Sequence, residues 1–111
     1  MTLRLELLPG AIADLDSIYA YSVEQWGVEQ AEVYLRALNA RMQGLRRFPA
    51  LGTAQDALHP GLRRIGEGSH SIYYLVRENT VLVVRVLHDR MDTKRARFTL
   101  QQPGLAYRAE I

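Results

Sequence analysis

Residues 69–92 read "SHSIYYLVRENTVLVVRVLHDRMD". They contain two apolar runs, "SHSIYYLV" and "TVLVVRVL", that are rich in the β-branched and aromatic residues favoured in strands. The polar "RENT" joins the two runs, and a connection this short predicts an antiparallel pair. The preceding "LRRI", set off by "GEG", predicts a third strand, so this part of the chain predicts a three-stranded antiparallel meander.

Strict alternation along these strands assigns their two faces. The residues that we assign to the core face are Ile72, Tyr74, Val76, Leu82, Val84 and Val86. Arg85 is then expected on the opposite face, available to an acidic partner or a phosphate. Tyr73 and Leu75 share that opposite face, where apolar residues predict a surface that another segment covers. His88 is in phase with the core face at the strand exit, so a role in fixing the exit by hydrogen bonds is an alternative to a functional role.

The N-terminal part of the chain predicts a strand and a helix. Leu3, Leu5 and Leu7 alternate with polar residues, which is the pattern of a half-buried strand. Pro9 ends this strand and suits the first position of a helix. In the following "GAIADLDSIYAYSVEQWG", apolar residues recur at helical spacing. We expect the buried stripe of this helix to contain Ile12, Leu15, Tyr19 and Trp26, flanked by Ile18 and Val23.

A second helix is predicted directly after Gly27, a natural C-terminal stop for the first helix. Its sequence, "VEQAEVYLRALNARMQGLRRF", carries an apolar stripe made of Ala31, Leu35, Leu38, Met42, Leu45 and Phe48. Two long helices with so short a connection predict an antiparallel αα-hairpin. Residues 49–61 hold two Pro and two Gly and predict a loop.

These elements together predict an α+β fold. Its order is an N-terminal strand, an antiparallel αα-hairpin and a three-stranded antiparallel meander. The length of 111 residues suits one domain with one modest core. We assign residues 1–98 to that domain. Residues 99–111 show no clear periodicity, and we expect this tail to be loosely ordered.

Composition limits the classes of protein to which the chain could belong. No apolar run approaches the ~18–20 residues that span a bilayer, so we expect no membrane association. There is no cysteine, and the N-terminus lacks a basic segment followed by an apolar one, which favours a cytoplasmic protein without a signal peptide. The net charge is +2, but residues 59–111 hold nine Lys/Arg against five Asp/Glu, a balance of +4. That half of the chain suits an acidic partner.

No motif predicts a cofactor, a metal ion or a catalytic group. Glycine-rich phosphate loops, HExxH and GxSxG are absent. The three histidines lie on different predicted elements and form no short ligand pair. Ser69 and His70 could form a nucleophilic triad with Asp89, but such a triad is defined by geometry rather than by composition.

Four segments in this order resemble the ParE branch of the ParE/RelE superfamily of bacterial toxins. They are "AIADLDSIYAYSVEQWGVEQAEVYL", "FPALG", "LHPGLRRIGEGSHSIYYLV" and "VVRVLHDRMD", within about residues 3–92. The resemblance implies a small toxin encoded beside a ParD-type antitoxin. Such an antitoxin binds operator DNA through its N-terminal part and folds on the toxin through its C-terminal segment. Several ParE members poison DNA gyrase, whereas the RelE relatives cleave mRNA on the ribosome.

The chain departs from the pattern of these toxins in two ways. Leu8 stands where members often have a Ser before the Pro, so we expect a weaker cap on the first helix. RelE-type cleavage uses basic residues around the scissile phosphate and often a C-terminal Tyr, but this chain has no Tyr between Tyr74 and Tyr107. Its candidate phosphate-binding residues are Arg63, Arg64, Arg85, His88 and Arg90.

We therefore predict gyrase inhibition by protein contact and neutralisation by a ParD-type antitoxin in a hetero-oligomer. The alternatives are ribosome-dependent mRNA cleavage and a non-toxic protein-binding module. Operator DNA would be reached only through the antitoxin. We predict that Arg85, His88 and Arg90 belong to the surface that contacts the target or the antitoxin, together with Tyr73 and Leu75.

Overall fold

The computed structural model of the protein describes residues 2–91 and 93, so the predicted tail at 99–111 lies outside the described residues. In chain order the elements are β1 (Arg4–Leu7), α1 (Pro9–Trp26), α2 (Val28–Leu45), β2 (Thr53–Ala54), β3 (Arg63–Glu67), β4 (His70–Arg77) and β5 (Thr80–His88). The sheet has the strand order β1-β5-β4-β3-β2. The pair β1–β5 is parallel, and the other pairs are antiparallel.

The predicted α+β class is confirmed, with its N-terminal strand, helical hairpin and meander. One element was missed, because the predicted loop at 49–61 contains the two-residue strand β2. Pro9 starts α1, and Leu8 makes no side-chain cap, as its sequence predicts. Gly27 forms the whole helix connection, with φ of 90°. Its N–H donates to Val23 O at 2.8 Å and its O accepts from Ala31 N at 3.1 Å, so one residue ends α1 and starts α2.

The main core lies between the helical hairpin and the sheet. Its buried members come from β1, both helices and the two long strands: Leu5, Leu7, Ala11, Ile18, Leu38, Met42, Leu45, Ile72, Tyr74, Val81, Val83 and Val86. The stripe predicted for α2 is confirmed except at its end, where Phe48 is 61% exposed. The stripe predicted for α1 is wrong at Tyr19 and Trp26, which are 37% and 59% exposed. Helix α1 buries Ala11, Ile18 and Ser22 instead, because this face also carries Asp14, which pairs with β5.

The β4–β5 ladder contains a bulge that alternation could not predict. Arg85 lies opposite Tyr73, whereas Val83 lies opposite Tyr74, so Val84 is an extra residue in β5. One extra residue reverses the phase of the strand beyond it. The side chains on either side of the bulge therefore follow different alternations, and a single alternating pattern cannot assign both halves of β5.

The bulge corrects part of the predicted core face. Leu82 and Val84 pack on the side of the sheet away from the helices, and only Val86 of the three predicted β5 positions is on the helix side. In β4, Ile72 and Tyr74 are in the main core as predicted, but Val76 is 43% exposed near the strand end.

A second core covers the face of the sheet away from the helices. Its buried members are Leu8, Leu62, Tyr73, Leu75, Val84 and Leu87, with Leu58 and Leu82 partly buried beside them. Tyr73 and Leu75 lie on the predicted face, but they are only 4% and 3% exposed. Leu58 and Leu62, from the segment before β3, pack into this core. Tyr73 and Leu75 are therefore covered by the chain's own segment before β3, and their contact with a partner stays an untested prediction.

Candidate functional site

A cleft of about 420 Å³ opens between α1, α2, the β3–β4 turn and the end of β5. It exists because β1 ends at Leu7, opposite Val83, and the chain then turns into α1. Beyond Val83, no strand formed by residues 2–91 lies beside β5 on that side. We call this space the cleft. It has an apolar end formed by Ile18, Tyr21, Trp26 and Met91 and a polar end formed by Tyr34, Ser69, His70 and His88.

Asp14 closes the back of the cleft by joining α1 to β5. Its Oδ2 accepts hydrogen bonds from Arg85 Nε at 2.7 Å and from the backbone N–H of Val86 at 2.9 Å, and its Oδ1 accepts from Arg85 Nη2 at 2.8 Å. The carboxylate thereby satisfies a backbone donor on the part of β5 that β1 does not reach. Both side chains are mostly buried, and the hydrogen bond to Asp14 raises the pKa of Arg85 above its usual value.

The predicted position of Arg85 is therefore wrong. Its side chain runs toward α1 rather than away from the helices, and it is paired rather than available. Gly10 permits this close approach, because a Cβ there would lie 3.0 Å from Arg85 Cδ. The sequence signal for this pair was Asp14, a charged residue in helical phase with Ala11 and Ile18. An acid on a buried stripe requires a partner.

The polar end of the cleft is organised by Tyr34. Its Oη lies 2.6 Å from His70 Nδ1 and accepts a hydrogen bond from Ser69 N at 3.0 Å. Burial raises the pKa of Tyr34 and lowers the pKa of His70, which the neighbouring His88 lowers further. The lowered pKa favours the neutral form of His70. The hydroxyl of Tyr34 also donates to Glu67 O at 3.3 Å, and whether it donates to or accepts from His70 Nδ1 depends on the tautomer of the imidazole. Gly68 is required beside this ring, since its φ is 57° and a Cβ would lie 2.6 Å from Tyr34 Cε1.

His88 lies at the polar end of the cleft, next to His70. The two rings meet edge to face, with centroids 5.2 Å apart and an interplanar angle of 83°. His88 is exposed, but it keeps the phase of Val86, two residues earlier on the helix side of the sheet, as predicted. Its Nδ1 accepts the backbone N–H of Arg90 at 3.1 Å, and its O accepts from Met91 N at 2.9 Å. These bonds turn the chain directly after β5.

Asp89 fixes the same exit from its other side. Its backbone N–H donates to Ser69 O at 2.9 Å, and its Oδ1 accepts from Ser71 Oγ at 2.8 Å. Ser71 Oγ in turn accepts from Arg64 Nε at 2.8 Å. The charged cluster that follows β5 is therefore a hydrogen-bonded strand exit. The alternative that His88 helps to fix this exit agrees with its bond to Arg90.

Exposed apolar side chains continue outward from the cleft. Tyr21 and Trp26, each 59% exposed, meet edge to face with centroids 6.4 Å apart. Trp26 and Tyr34 also line a shallower depression of about 260 Å³ on α2, together with Val33, which is 51% exposed. We call Tyr21 and Trp26 the aromatic rim. Exposed apolar surface next to a cleft is typical of a protein-binding site.

The structure thus separates the five predicted site residues. His88 lines the cleft, Arg85 lies behind it, and Arg90 follows in the exit turn. Tyr73 and Leu75 lie in the second core, on the other face of the sheet. Sequence reasoning missed other residues that line the cleft, since it assigned Trp26 to the buried stripe of α1 and did not connect Tyr34 with His70.

The described part of the chain lacks two further features. Among residues 2–91 and 93, no three His, Asp or Glu side chains are grouped in a way that could hold a metal ion. Neither of the helices formed by these residues is long and apolar enough to cross a membrane.

The sequence matches one family of known proteins over most of its length. The family model described as the ParE toxin of the type II toxin–antitoxin system parDE matches residues 5–93. A protein named toxin ParE1 from Mycobacterium tuberculosis is 44% identical over 96 residues, which cover 86% of this chain and 98% of the relative. Another toxin ParE1, from Caulobacter vibrioides, is 42% identical over 84 residues, which cover 76% of this chain and 86% of the relative.

Solved structures share the same fold. One, from the chromosomal ParDE toxin–antitoxin system of P. aeruginosa, has a TM-score of 0.68 at 22% identity and covers 78% of this chain and 96% of that chain. Another, from the toxin–antitoxin complex RelBE2 of Mycobacterium tuberculosis, has a TM-score of 0.60 at 18% identity and covers 79% and 99%. These structures support the fold, and the family match with its close relatives supports the family: the chain belongs to the ParE toxins of type II toxin–antitoxin systems.

Proposed function

We propose that this protein inhibits DNA gyrase by direct protein contact and is neutralised by a ParD-type antitoxin in a hetero-oligomeric complex. The observation that carries the proposal is the match of residues 5–93 to the ParE toxin family. The antitoxin would bring operator DNA to the complex, and both proteins would act in the cytoplasm.

The antitoxin partner fits the exposed surface of the cleft. The solved structures with the same fold come from systems in which a toxin is paired with an antitoxin. In this chain the aromatic rim exposes more than half of the Tyr21 and Trp26 surfaces next to a cleft of about 420 Å³. An amphipathic segment that folds on the toxin would bury these side chains, as helix-in-groove partners do.

The hydrogen bonds made by three arginines favour inhibition by protein contact over cleavage of mRNA. A nuclease of this superfamily would need cations for the scissile phosphate. Arg85 is instead paired with Asp14, Arg64 donates to Ser71 at 2.8 Å, and Arg63 Nη1 donates to Gly52 O at 2.6 Å. Phosphate binding by these three side chains would have to break hydrogen bonds within the protein, which costs stability.

The deciding experiment runs two assays on the same preparation of toxin. Supercoiling by purified gyrase is measured beside a translation reaction in which the mRNA is mapped by primer extension. We expect supercoiling to be inhibited while the mRNA stays intact. Codon-phased cuts with normal supercoiling would establish the rival, ribosome-dependent mRNA cleavage. If neither assay responds although the neighbouring gene product still co-purifies, the protein is a non-toxic binding module.

Arg90 provides a sharper test of the contact surface. Its side chain forms no ion pair with any of residues 2–91 and 93, and the residue is exposed. We expect Arg90→Ala to weaken gyrase inhibition while leaving the unfolding free energy within about 0.5 kcal/mol of the parent. Arg77→Ala is the matched control, because Arg77 is exposed at the other end of the sheet. Equal inhibition by both variants would remove Arg90 from the surface.

A further inference from the structure

The geometry points to a specific chemistry for the segment that occupies the cleft: an acidic side chain flanked by apolar ones. Its carboxylate would accept a hydrogen bond from Nε2 of His88, beside His70, and its apolar neighbours would pack against the aromatic rim. The inference rests on the proposed function only in taking the occupant to be a segment of a partner protein. It assigns a role to the histidine pair, which the fold alone does not require.

His88 presents a donor because its other ring nitrogen is already engaged. Its Nδ1 accepts the backbone N–H of Arg90 at 3.1 Å. A neutral imidazole that accepts at Nδ1 carries its hydrogen at Nε2. His88 and His70 both line the cleft, and their ring centroids are 5.2 Å apart. The Nε2–H of His88 can therefore donate to a carboxylate bound in the cleft, with His70 beside it.

The charges around the histidine pair favour an anion. The nearby acids are already neutralised: Asp14 by Arg85, Asp89 by hydrogen bonds and a 3.9 Å contact from Arg64, and Glu67 by Arg41 at 3.2 Å. Arg90, in the adjacent exit turn, adds a positive charge with no ion pair to the described residues. The uncompensated charge at this end of the cleft is therefore positive, and complementarity selects an acidic side chain.

Because part of the cleft is apolar, the bound segment should carry apolar side chains next to its acidic one. Ile18 forms part of its floor, and Tyr21 and Trp26 stand exposed at its side. The cleft continues into the depression on α2 through Trp26 and Tyr34, which line both. An elongated surface with one polar end fits a peptide segment better than a compact small molecule.

Binding of a carboxylate should strengthen as the pH falls. Protonation of His70 adds positive charge beside the ligand, and the bound carboxylate in turn raises the pKa of His70. The titratable groups that face His70 or its partner Tyr34 come from α1, β3 and the β5 exit: Asp14, Glu67, His88 and Asp89. Asp14 and Asp89 favour the protonated form of His70, but burial and His88 outweigh them.

Trp26 is the one tryptophan in the sequence, so its fluorescence reports on the cleft directly. The probe is a capped seven-residue peptide of leucine and alanine with one central glutamate, and its twin carries glutamine. The full-length protein is titrated with each peptide at pH 6 and pH 8. We expect the glutamate peptide to bind about tenfold more tightly than its twin at pH 6, with a smaller difference at pH 8.

His88→Phe provides the test of the donor itself. Phenylalanine keeps a ring against His70 but has no Nε2–H, and the position is exposed, so the fold should persist. We expect the preference for glutamate to fall at least threefold, with an unchanged melting temperature. Equal binding of both peptides, no fluorescence change with either, or an unchanged preference in His88→Phe would overturn the inference. None of these results bears on the supercoiling assay, so the proposed function would stand or fall separately.

Discussion

Asp14 and Arg85 are 71 residues apart in the chain, yet two hydrogen bonds of 2.7 and 2.8 Å join them across the boundary between α1 and β5. The same carboxylate accepts the backbone N–H of Val86. One side chain of the helix thus holds both the side chain and the backbone of the strand at the place where the neighbouring strand β1 has ended. The pair sets the distance between the two walls of the cleft.

Removing Asp14 should therefore destabilise the fold. In Asp14→Ala, the guanidinium of Arg85 loses two hydrogen bonds and the N–H of Val86 loses its side-chain acceptor, and both residues are mostly buried. We expect the unfolding free energy to fall by about 2–3 kcal/mol in urea denaturation, below the range for a fully buried pair because water reaches this one in part. Asp16→Ala, on the exposed side of the same helix, is the control and should change stability by less than about 0.5 kcal/mol. Similar losses in the two variants would show that the pair contributes little.

The same reasoning changes what Arg85→Ala would report. An arginine on the face opposite the core, where the sequence alternation places Arg85, could be replaced without loss of stability. The structure predicts instead that it leaves Asp14 partly buried without its cation, so stability should fall with toxicity. A loss of toxicity in Arg85→Ala is therefore informative about target contact only if the melting temperature is unchanged.

Gly52 should be irreplaceable for a different reason, which is space. A Cβ at Gly52 would lie 2.6 Å from Tyr74 Oη and 2.8 Å from Arg64 O. Tyr74 is fully buried, and its hydroxyl donates to Pro49 O at 2.7 Å and accepts from Gly52 N at 2.8 Å. Since neither neighbour can move without breaking a buried hydrogen bond, we expect Gly52→Ala to cost about 2 kcal/mol or more.

Gly44→Ala is the matched control for Gly52→Ala. Gly44 is an exposed residue of α2, and a Cβ there would meet nothing within 4 Å. Alanine in place of glycine inside a helix should stabilise the protein by up to about 1 kcal/mol. Thermal unfolding should thus shift in opposite directions for the two substitutions. A shift in the same direction would mean that the loop before β2 can adjust around Tyr74.

The environment of His70 predicts a stability that depends on pH. Burial, followed by the charge of His88, lowers the pKa of His70 in the folded protein. The unfolded chain therefore binds a proton at a higher pH than the folded one. Stability is fully present above the ordinary histidine pKa of about 6.5 and is lost as the pH falls through the lower, folded-state pKa.

The measurement is the urea midpoint at pH 7.5 and at pH 5.5. His70→Asn keeps an acceptor near the hydroxyl of Tyr34 but does not titrate, so the fall between the two pH values should be smaller than in the parent. His59→Asn is the control, because His59 lies in the loop before β3, away from the cleft, and its ring Nδ1 lies 2.9 Å from Pro60 O. If His59→Asn reduces the dependence as much as His70→Asn does, the effect does not originate at the cleft.

The elements of this fold are predictable because they depend on local patterns. The alternating leucines of β1, the apolar stripe of α2, Gly27 and the two short turns of the meander each determine one feature. The assignment of side chains to buried and exposed faces failed at two places where a tertiary feature overrides the local pattern. The extra residue Val84 reverses the phase of β5, and Asp14 rotates the buried stripe of α1 away from Tyr19 and Trp26.

The candidate site was less predictable than the fold because its residues come together only through tertiary structure. Tyr34 and His70 are 36 positions apart and meet through the β3–β4 turn, which Gly68 allows to approach α2. Exposure is also a property of the whole fold. Trp26 continues an apolar helical pattern in the sequence, yet its side chain is 59% exposed in the fold.

The exposed position of Trp26 leads to a test of antitoxin binding. Trp26 and Phe48 are aromatic residues with nearly equal exposure, 59% and 61%, but only Trp26 lines the cleft. Substitution of either by alanine should leave the unfolding free energy almost unchanged, because each side chain is largely in water already. If the antitoxin segment covers the aromatic rim, Trp26→Ala removes a large apolar contact and should weaken the complex by about 2 kcal/mol, or roughly thirtyfold in Kd.

The experiment co-expresses each variant with the product of the neighbouring gene and measures dissociation of the purified complex. Phe48→Ala should dissociate like the parent, whereas Trp26→Ala should dissociate faster, since changes at an interface act mainly on the off-rate. Equal dissociation of both variants would move the antitoxin away from the cleft. Slower growth of cells that carry Trp26→Ala than of cells that carry Phe48→Ala would be the cellular counterpart of a weaker complex, because free toxin would escape neutralisation. That comparison requires Trp26→Ala to keep its activity against gyrase, which the supercoiling assay measures directly.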